Sequence, residues 1–214
     1  GLDSVPFGIV ANKKVKRFYD EGEDFWPKRY AIWGKLIAEQ PEQIAYSIID
    51  SKALPHFMPS VFPPVEAASI AELAAAWELE PYALEAVVNE FNRSVRPGGF
   101  DPGSLDDCVT TELHPPKSHW ARPIDTPPYY GYPLRPGITF TYLGVSVNEQ
   151  AQVIMQDDRP AKNVFAAGEV MAGNILGRGY LAGFGLTIGS VFGRIAGREA
   201  AGRGPPPAGA AGAR

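Results

Sequence analysis

The chain has 214 residues, 45% of them hydrophobic, with 20 Lys and Arg set against 24 Asp and Glu for a net charge of −4. That suits a soluble globular fold with one substantial core, or one domain and part of another, and gives no basis for nucleic-acid binding. A single cysteine, Cys108, excludes an internal disulfide, the three histidines His56, His114 and His119 lack metal spacing, and no long apolar run or signal peptide is present, so the expectation is a cytoplasmic protein without a metal. The 21 prolines and 23 glycines predict long loops, and the stretch from Gly202 to Arg214 predicts a flexible tail.

In chain order, Ile9-Val10 and Arg17-Phe18-Tyr19 read as short strands, Tyr30 to Ala38 as a helix, and Gln43 to Ile49 as helix or strand. Ser69 and Glu72 form a capping box that starts the next helix. Pro81 opens another, with Leu84, Val87, Val88 and Phe91 as its apolar stripe, before Arg96-Pro97-Gly98-Gly99 ends it. From Pro115 to Thr141 the chain is aromatic, basic and rich in proline, and no regular element is predicted. Trp120, Tyr129, Tyr130 and Tyr132 are expected to pack. Arg122 and Arg135, beside such aromatics, are candidates to grip a carboxylate with paired hydrogen bonds, and His119 is a candidate contact in the same stretch.

Val164 to Ala167 reads as a short buried strand, broken by Gly168-Glu169. A helix follows, with an apolar pattern at Leu186, Ile188, Phe192 and Ile195. Gly185, Gly189, Gly193 and Gly197 share one of its faces, and four glycines in a helix cost about 1 kcal/mol each relative to alanine, so a sheet or a flat ring is expected close against them. Arg194 and Arg198 interrupt the run too early for a membrane span. Gly177-Arg178-Gly179-Tyr180-Leu181-Ala182 formally matches a dinucleotide fingerprint, but it does not directly follow a strand and is rejected.

Two segments, Phe165 to Val170 and Tyr180 to Gly189, resemble the C-terminal flavin-binding portion of the fumarate reductase and succinate dehydrogenase flavoprotein superfamily, closest in wording to tricarballylate dehydrogenase-type members. Ala11 to Glu21 resembles the "VN..GKRF.DE" segment of its substrate-capping domain. The resemblance implies an α+β chain: a capping domain over 1–140, the C-terminal strand, loop and helix of a truncated α/β FAD-binding domain over 141–201, and a tail over 202–214. It implies a fragment whose N-terminal FAD domain is missing, inactive alone and colourless when purified. The whole enzyme would use FAD to dehydrogenate or reduce a C–C bond of a polycarboxylate such as tricarballylate or a fumarate-like or succinate-like acid, with a redox partner protein. A non-catalytic ligand-binding module that reuses the cap is the alternative.

By the same resemblance Gly168 and Glu169 would bind the ribitol or ribose region of FAD, and Gly183, Gly185, Leu186 and Thr187 its pyrimidine edge at a helix N-terminus, where free N–H groups and a partial positive charge suit an anion. The chain departs from fumarate reductases at three catalytic positions, holding Phe25, Phe140-Thr141 and Tyr180 where those carry arginine, histidine and arginine. Arg29 is the expected replacement for the first as proton shuttle, and Arg135, Arg122, His119 and Thr141 are expected at the substrate. Tyr180 resembles the tyrosine of the "Y-x-G-P-G" element of 3-ketosteroid dehydrogenases, which assists proton removal. Arg178 and the helix start would favour its phenolate; packing on the flavin edge without proton transfer is the alternative.

Overall fold

A computed structural model describes residues 2–138, 140–177 and 180–203. It divides into two compact units, Gly1–Gly137 and Ile138–Arg214. Both helices and sheets are present, and every strand pairing among the described residues is antiparallel.

The first unit is built on strands β1 (Ile9–Asn12), β2 (Ala45–Asp50), β3 (Val65–Ala67) and β6 (Tyr129–Leu134), in the order β1-β2-β6-β3. Its helices are α1 (Trp26–Ala38), α2 (Ile70–Ala76) and α3 (Pro81–Ser94), and β4 (Val95–Arg96) pairs with β5 (Val109–Thr110) apart from the main sheet. Side chains alternate across the sheet. Ile9, Ala11, Tyr46 and Ile48 join Leu73, Trp77, Leu84, Val88 and Phe91 of the α2–α3 side, while Val10, Ala45, Ile49 and Tyr132 join Trp33 and Ile37 of α1. Because both faces are covered, β2 is buried along its whole length, and its sequence shows no alternation of polar and apolar residues by which to tell strand from helix.

Local capping sets the helix starts. Ser69 Oγ accepts the Glu72 N–H at 3.1 Å and the Glu72 carboxylate accepts the Ala68 N–H at 2.9 Å, so the box closes one residue earlier than the usual pattern. Glu80 accepts the N–H groups of Tyr82 and Ala83 before Pro81 opens α3. α1 begins at Trp26, four residues ahead of the expected Tyr30, with Pro27 in its first turn.

Two expectations change here. Arg17 to Tyr19 is not a strand and makes only an isolated bridge, Ala11 to Arg17. The stretch from Pro115 to Thr141 is not free of regular structure either, since it contains β6, which pairs with β2 on one side and β3 on the other. Gly131 and Pro133 hide it. At Gly131 a Cβ would lie 2.0 Å from Trp77 Cη2. Pro133 lies beyond the end of the β3 pairing, where β6 has a partner on one side only and a missing N–H is tolerated.

The same crossover is tied to the start of the chain by buried charges. Arg17 Nε donates to Glu21 Oε1 at 3.0 Å and Arg17 Nη1 to the Pro115 carbonyl at 2.7 Å, while Glu21 also accepts the Val10 N–H at 2.8 Å. Lys117 is buried and donates to the carbonyls of Pro6 and Gly8 at 2.8 and 2.9 Å. Burial pushes the Lys117 ammonium down to about 8.

The second unit contains the hairpin β7 (Gln152–Ile154) and β8 (Pro160–Phe165), a 3₁₀ turn over Gly168–Asn174, and α4 (Phe184–Arg203). Met171, Ala172 and Ile188 form its core with Phe140, Val145, Ala166, Phe184 and Phe192 against them. The expected buried strand Val164–Ala167 is instead the end of the mostly exposed β8, in which Val164 is half exposed. Leu186 is 81% exposed and leaves the expected stripe, which Ile188 and Phe192 keep. Only Gly185 of the four helix glycines has described neighbours; a Cβ at Gly189, Gly193 or Gly197 meets none within 4 Å, so no described sheet or ring of this chain packs on that face. The helix runs past Gly202 to Arg203, and residues 204–214 of the expected tail lie outside the described residues. No helix among those described is long and apolar enough to cross a membrane.

Candidate functional site

The second unit positions its polar groups through two glycines. Gly168, with φ +79°, turns the chain out of β8 into the 3₁₀ turn. This exposes Glu169, whose Oε1 accepts the Thr141 N–H at 2.6 Å and the Thr141 hydroxyl at 3.1 Å. Thr141 therefore anchors Glu169 from one side. Gly183, with φ +91°, leads into α4, and its carbonyl accepts both the Thr187 N–H and the Thr187 hydroxyl at 3.1 Å.

Tyr180 meets the first turn of that helix. Its Oη accepts the Gly185 N–H at 2.9 Å, and its ring lies 4.9 Å from Phe140, which in turn meets Tyr142 at 6.1 Å. A Cβ at Gly185 would sit 2.8 Å from that oxygen, so the approach needs glycine. The phenol oxygen is thereby placed at the positive end of the α4 dipole, with its proton on the same oxygen that takes a backbone N–H. Burial and the neighbouring Tyr180 hold the Tyr142 phenol above its ordinary value. Phe140 and Tyr142, which orient Tyr180, carry no sequence signal beyond being aromatic. Arg178 lies outside the described residues.

In the first unit Arg29 sits in the first turn of α1, paired with Glu23 at 3.1 Å, and its Nε is buried without a described hydrogen-bond partner. His119 Nδ1 bonds the Asp106 carbonyl at 2.5 Å, and Gly22 packs so closely that a Cβ there would meet His119 O at 2.3 Å. Asp20 accepts the Ser118 N–H at 3.0 Å, and the Phe25 ring lies 5.4 Å from Trp120. The turn before α1 and residues 118–120 thus form one packed region. Trp120, Tyr129, Tyr130 and Tyr132 all pack as expected.

Arg122 and Arg135 do not converge. Arg122 Nη2 donates to the Lys52 carbonyl at 3.0 Å and Arg135 Nη1 to the Glu42 carbonyl at 3.1 Å. In the β2–β6 register these anchors belong to opposite ends, Asp50 opposite Tyr129 and Ala45 opposite Leu134, which separates them by about 17 Å at the usual strand rise. One carboxylate is not gripped by both. No group of three metal-ligating side chains occurs among the described residues.

Residues 5–186 match the family described as "FAD binding domain". The chain belongs to that family. It is 30% identical over 205 residues to the urocanate reductase of Eggerthella lenta, covering 90% of this chain and 31% of that protein. It is 28% identical to the NADH:fumarate oxidoreductase of Klebsiella pneumoniae, covering 91% of this chain and 20% of the other. A solved open conformation of a flavocytochrome c3 fumarate reductase matches with TM-score 0.69 at 26% identity, over 94% of this chain and 34% of that one. The chain therefore spans about a third or less of the length of these relatives.

FAD is the cofactor of this family. The described residues suit part of it. An anchored, exposed carboxylate at Glu169 fits sugar or ribityl hydroxyls, and the Gly183–Thr187 helix start fits an electron-rich ring edge. The pyrophosphate finds no counterpart, because its loop follows a strand in a parallel βαβ unit and the described ladders are all antiparallel.

Proposed function

We propose that this chain supplies the substrate-capping domain and the C-terminal FAD-contacting segment of a cytoplasmic oxidoreductase that acts on a C–C bond of a small polycarboxylate, tricarballylate foremost. The observation that carries the reading is Tyr180 Oη held by the Gly185 N–H at the start of α4. It is supported by relatives named for reducing urocanate and fumarate. A single buried thiol, Cys108, suits a reducing compartment.

When bound, FAD supplies hydride transfer. Glu169, steadied by Thr141, holds the cofactor's hydroxyls together with the turn at Gly168, and Gly183, Gly185, Leu186 and Thr187 present the helix start to its ring edge. Tyr180 moves the proton at its phenol oxygen. Arg29, paired with Glu23, is the second proton carrier, and Arg135, exposed and held by one backbone bond, takes a substrate carboxylate while His119 lines the cap. The 214-residue chain by itself holds FAD weakly.

The test uses the longer polypeptide that contains this chain, loaded with FAD. Anaerobic addition of tricarballylate should bleach the oxidised flavin, or an unsaturated polycarboxylate should reoxidise the reduced flavin. If no polycarboxylate does either while flavin is stoichiometrically bound, the reading fails.

A further inference from the structure

The first unit contains a pocket that the proposed chemistry does not use. The loop between β4 and β5 and residues 121–123 border a half-open pocket of about 330 Å³, lined by Lys52, Val95, Phe100, Cys108, Arg122 and Pro123 among others. That volume lies at the lower end of the range for small-molecule sites. Two cations border it, and they differ. Lys52 Nζ is engaged by Asp50 at 3.1 Å, by Asp125 and by the Pro123 carbonyl. Arg122 has no carboxylate partner among the described residues. One of its N–H groups goes to the Lys52 carbonyl, and its plane lies 4.0 Å over the Phe100 ring.

Two carboxylates, Asp106 and Asp107, act on the Cys108 wall, but neither is within ion-pair distance of Arg122. His56, edge-on to Phe100 at 4.9 Å, is held below its ordinary value by burial and by Arg122, so it adds no charge at neutral pH. Burial keeps the Cys108 thiol above its ordinary value and hence neutral. The result is apolar walls with one cation whose fork still has donors to give. Stacking on an aromatic face fixes the guanidinium plane and leaves its edge for a planar anion.

We propose that this pocket binds a small monocarboxylate with an apolar body, an aryl or branched aliphatic acid, through Arg122. A polycarboxylate fits it poorly, because the second cation, Lys52, already has two carboxylates. The site therefore selects a different class of acid from the proposed substrate, and it is complete within the first unit.

Benzoate is the probe, titrated calorimetrically into the 214-residue chain without flavin, so that the outcome is independent of the redox reading. Saturable one-to-one binding with Kd of about 1 mM or tighter is expected. Benzyl alcohol should bind at least about tenfold more weakly, and Arg122→Gln should lose benzoate binding by a similar factor. Cys108→Met, which pushes a longer side chain into the pocket and leaves Arg122 in place, should also abolish binding. Since Cys108 is the only cysteine, benzoate should slow its alkylation by N-ethylmaleimide. Absence of saturation by about 10 mM overturns the proposal. Equal binding of the alcohol overturns it, as does undiminished binding by folded Arg122→Gln. Should Arg122→Gln fail to fold by circular dichroism, benzoate binding retained by Cys108→Met overturns it instead.

Discussion

Replacing Tyr180 with phenylalanine separates two roles by their size. The ring contact with Phe140 at 4.9 Å survives, and the loss is confined to one oxygen that accepts the Gly185 N–H at 2.9 Å. If that oxygen serves only to cap α4, its removal costs about 1 kcal/mol, the usual worth of a helix N-terminal acceptor. In a full-length enzyme well above about 250 residues that lowers Tm by no more than about 2–4 °C and leaves nearly all molecules folded, so kcat stays within about twofold of wild type. If the phenol transfers the proton, kcat falls by about 10²- to 10⁴-fold, or roughly 3–5.5 kcal/mol of barrier, and kcat/KM falls with it. The assay is steady-state kinetics on the FAD-loaded full-length enzyme, with flavin content checked by absorbance and a thermal melt on the same sample. A lowered melt with unchanged kcat refutes the proton role and leaves Tyr180 as a cap. Arg135→Lys supplies the contrast, raising KM with kcat little changed if that side chain grips substrate.

Three further outcomes follow from the first unit. Glu21→Gln leaves Arg17 charged and buried, and should destabilise by about 3–5 kcal/mol in urea unfolding; a loss below about 1 kcal/mol would show that the pair is not carrying the crossover. Lys117 has a folded value of about 8 against an ordinary 10.5, so between these pH values the unfolded chain keeps a proton that the folded chain has shed. Its contribution to stability therefore rises with pH, by roughly 3 kcal/mol over the full window, and is lost as pH falls through 8. Subtracting the unfolding free energy of Lys117→Met at each pH isolates this slope, and a flat difference from pH 8 upward would refute it. Gly131→Ala drives a Cβ to 2.0 Å from Trp77, a ring stacked 4.7 Å from Tyr46, and should cost about 1–3 kcal/mol with a changed tryptophan emission; unaltered emission and stability would contradict the packing.

What could be read from the residues alone follows the distance over which each feature is decided. The starts of α2 and α3 were legible because Ser69 with Glu72, and Pro81, act within one turn, and the stripe at Leu84, Val88 and Phe91 repeats at helical spacing. The turn at Gly168 and the helix start after Gly183 were legible for the same reason, since both are local events. β6 was not, because what makes Gly131 and Pro133 acceptable in a strand is where β2 and β3 lie, and those come from residues 45–50 and 65–67. Lys117 gave no signal at all: its acceptors are 111 and 109 residues away.

The misplaced convergence of Arg122 and Arg135 has the same origin. Their spacing in sequence says nothing about the five residues of β6 register that separate their anchors. A lone arginine over Phe100 and another at Glu42 then demand different explanations, and the former has one in a pocket that no spacing rule would have found. Proton chemistry at a helix start can be proposed from a short motif, whereas carboxylate recognition depends on which distant cations already have partners. Lys52 has two, and Arg122 has none among the described residues. That difference, rather than the number of positive side chains in the crossover, decides where an acid of each class can bind.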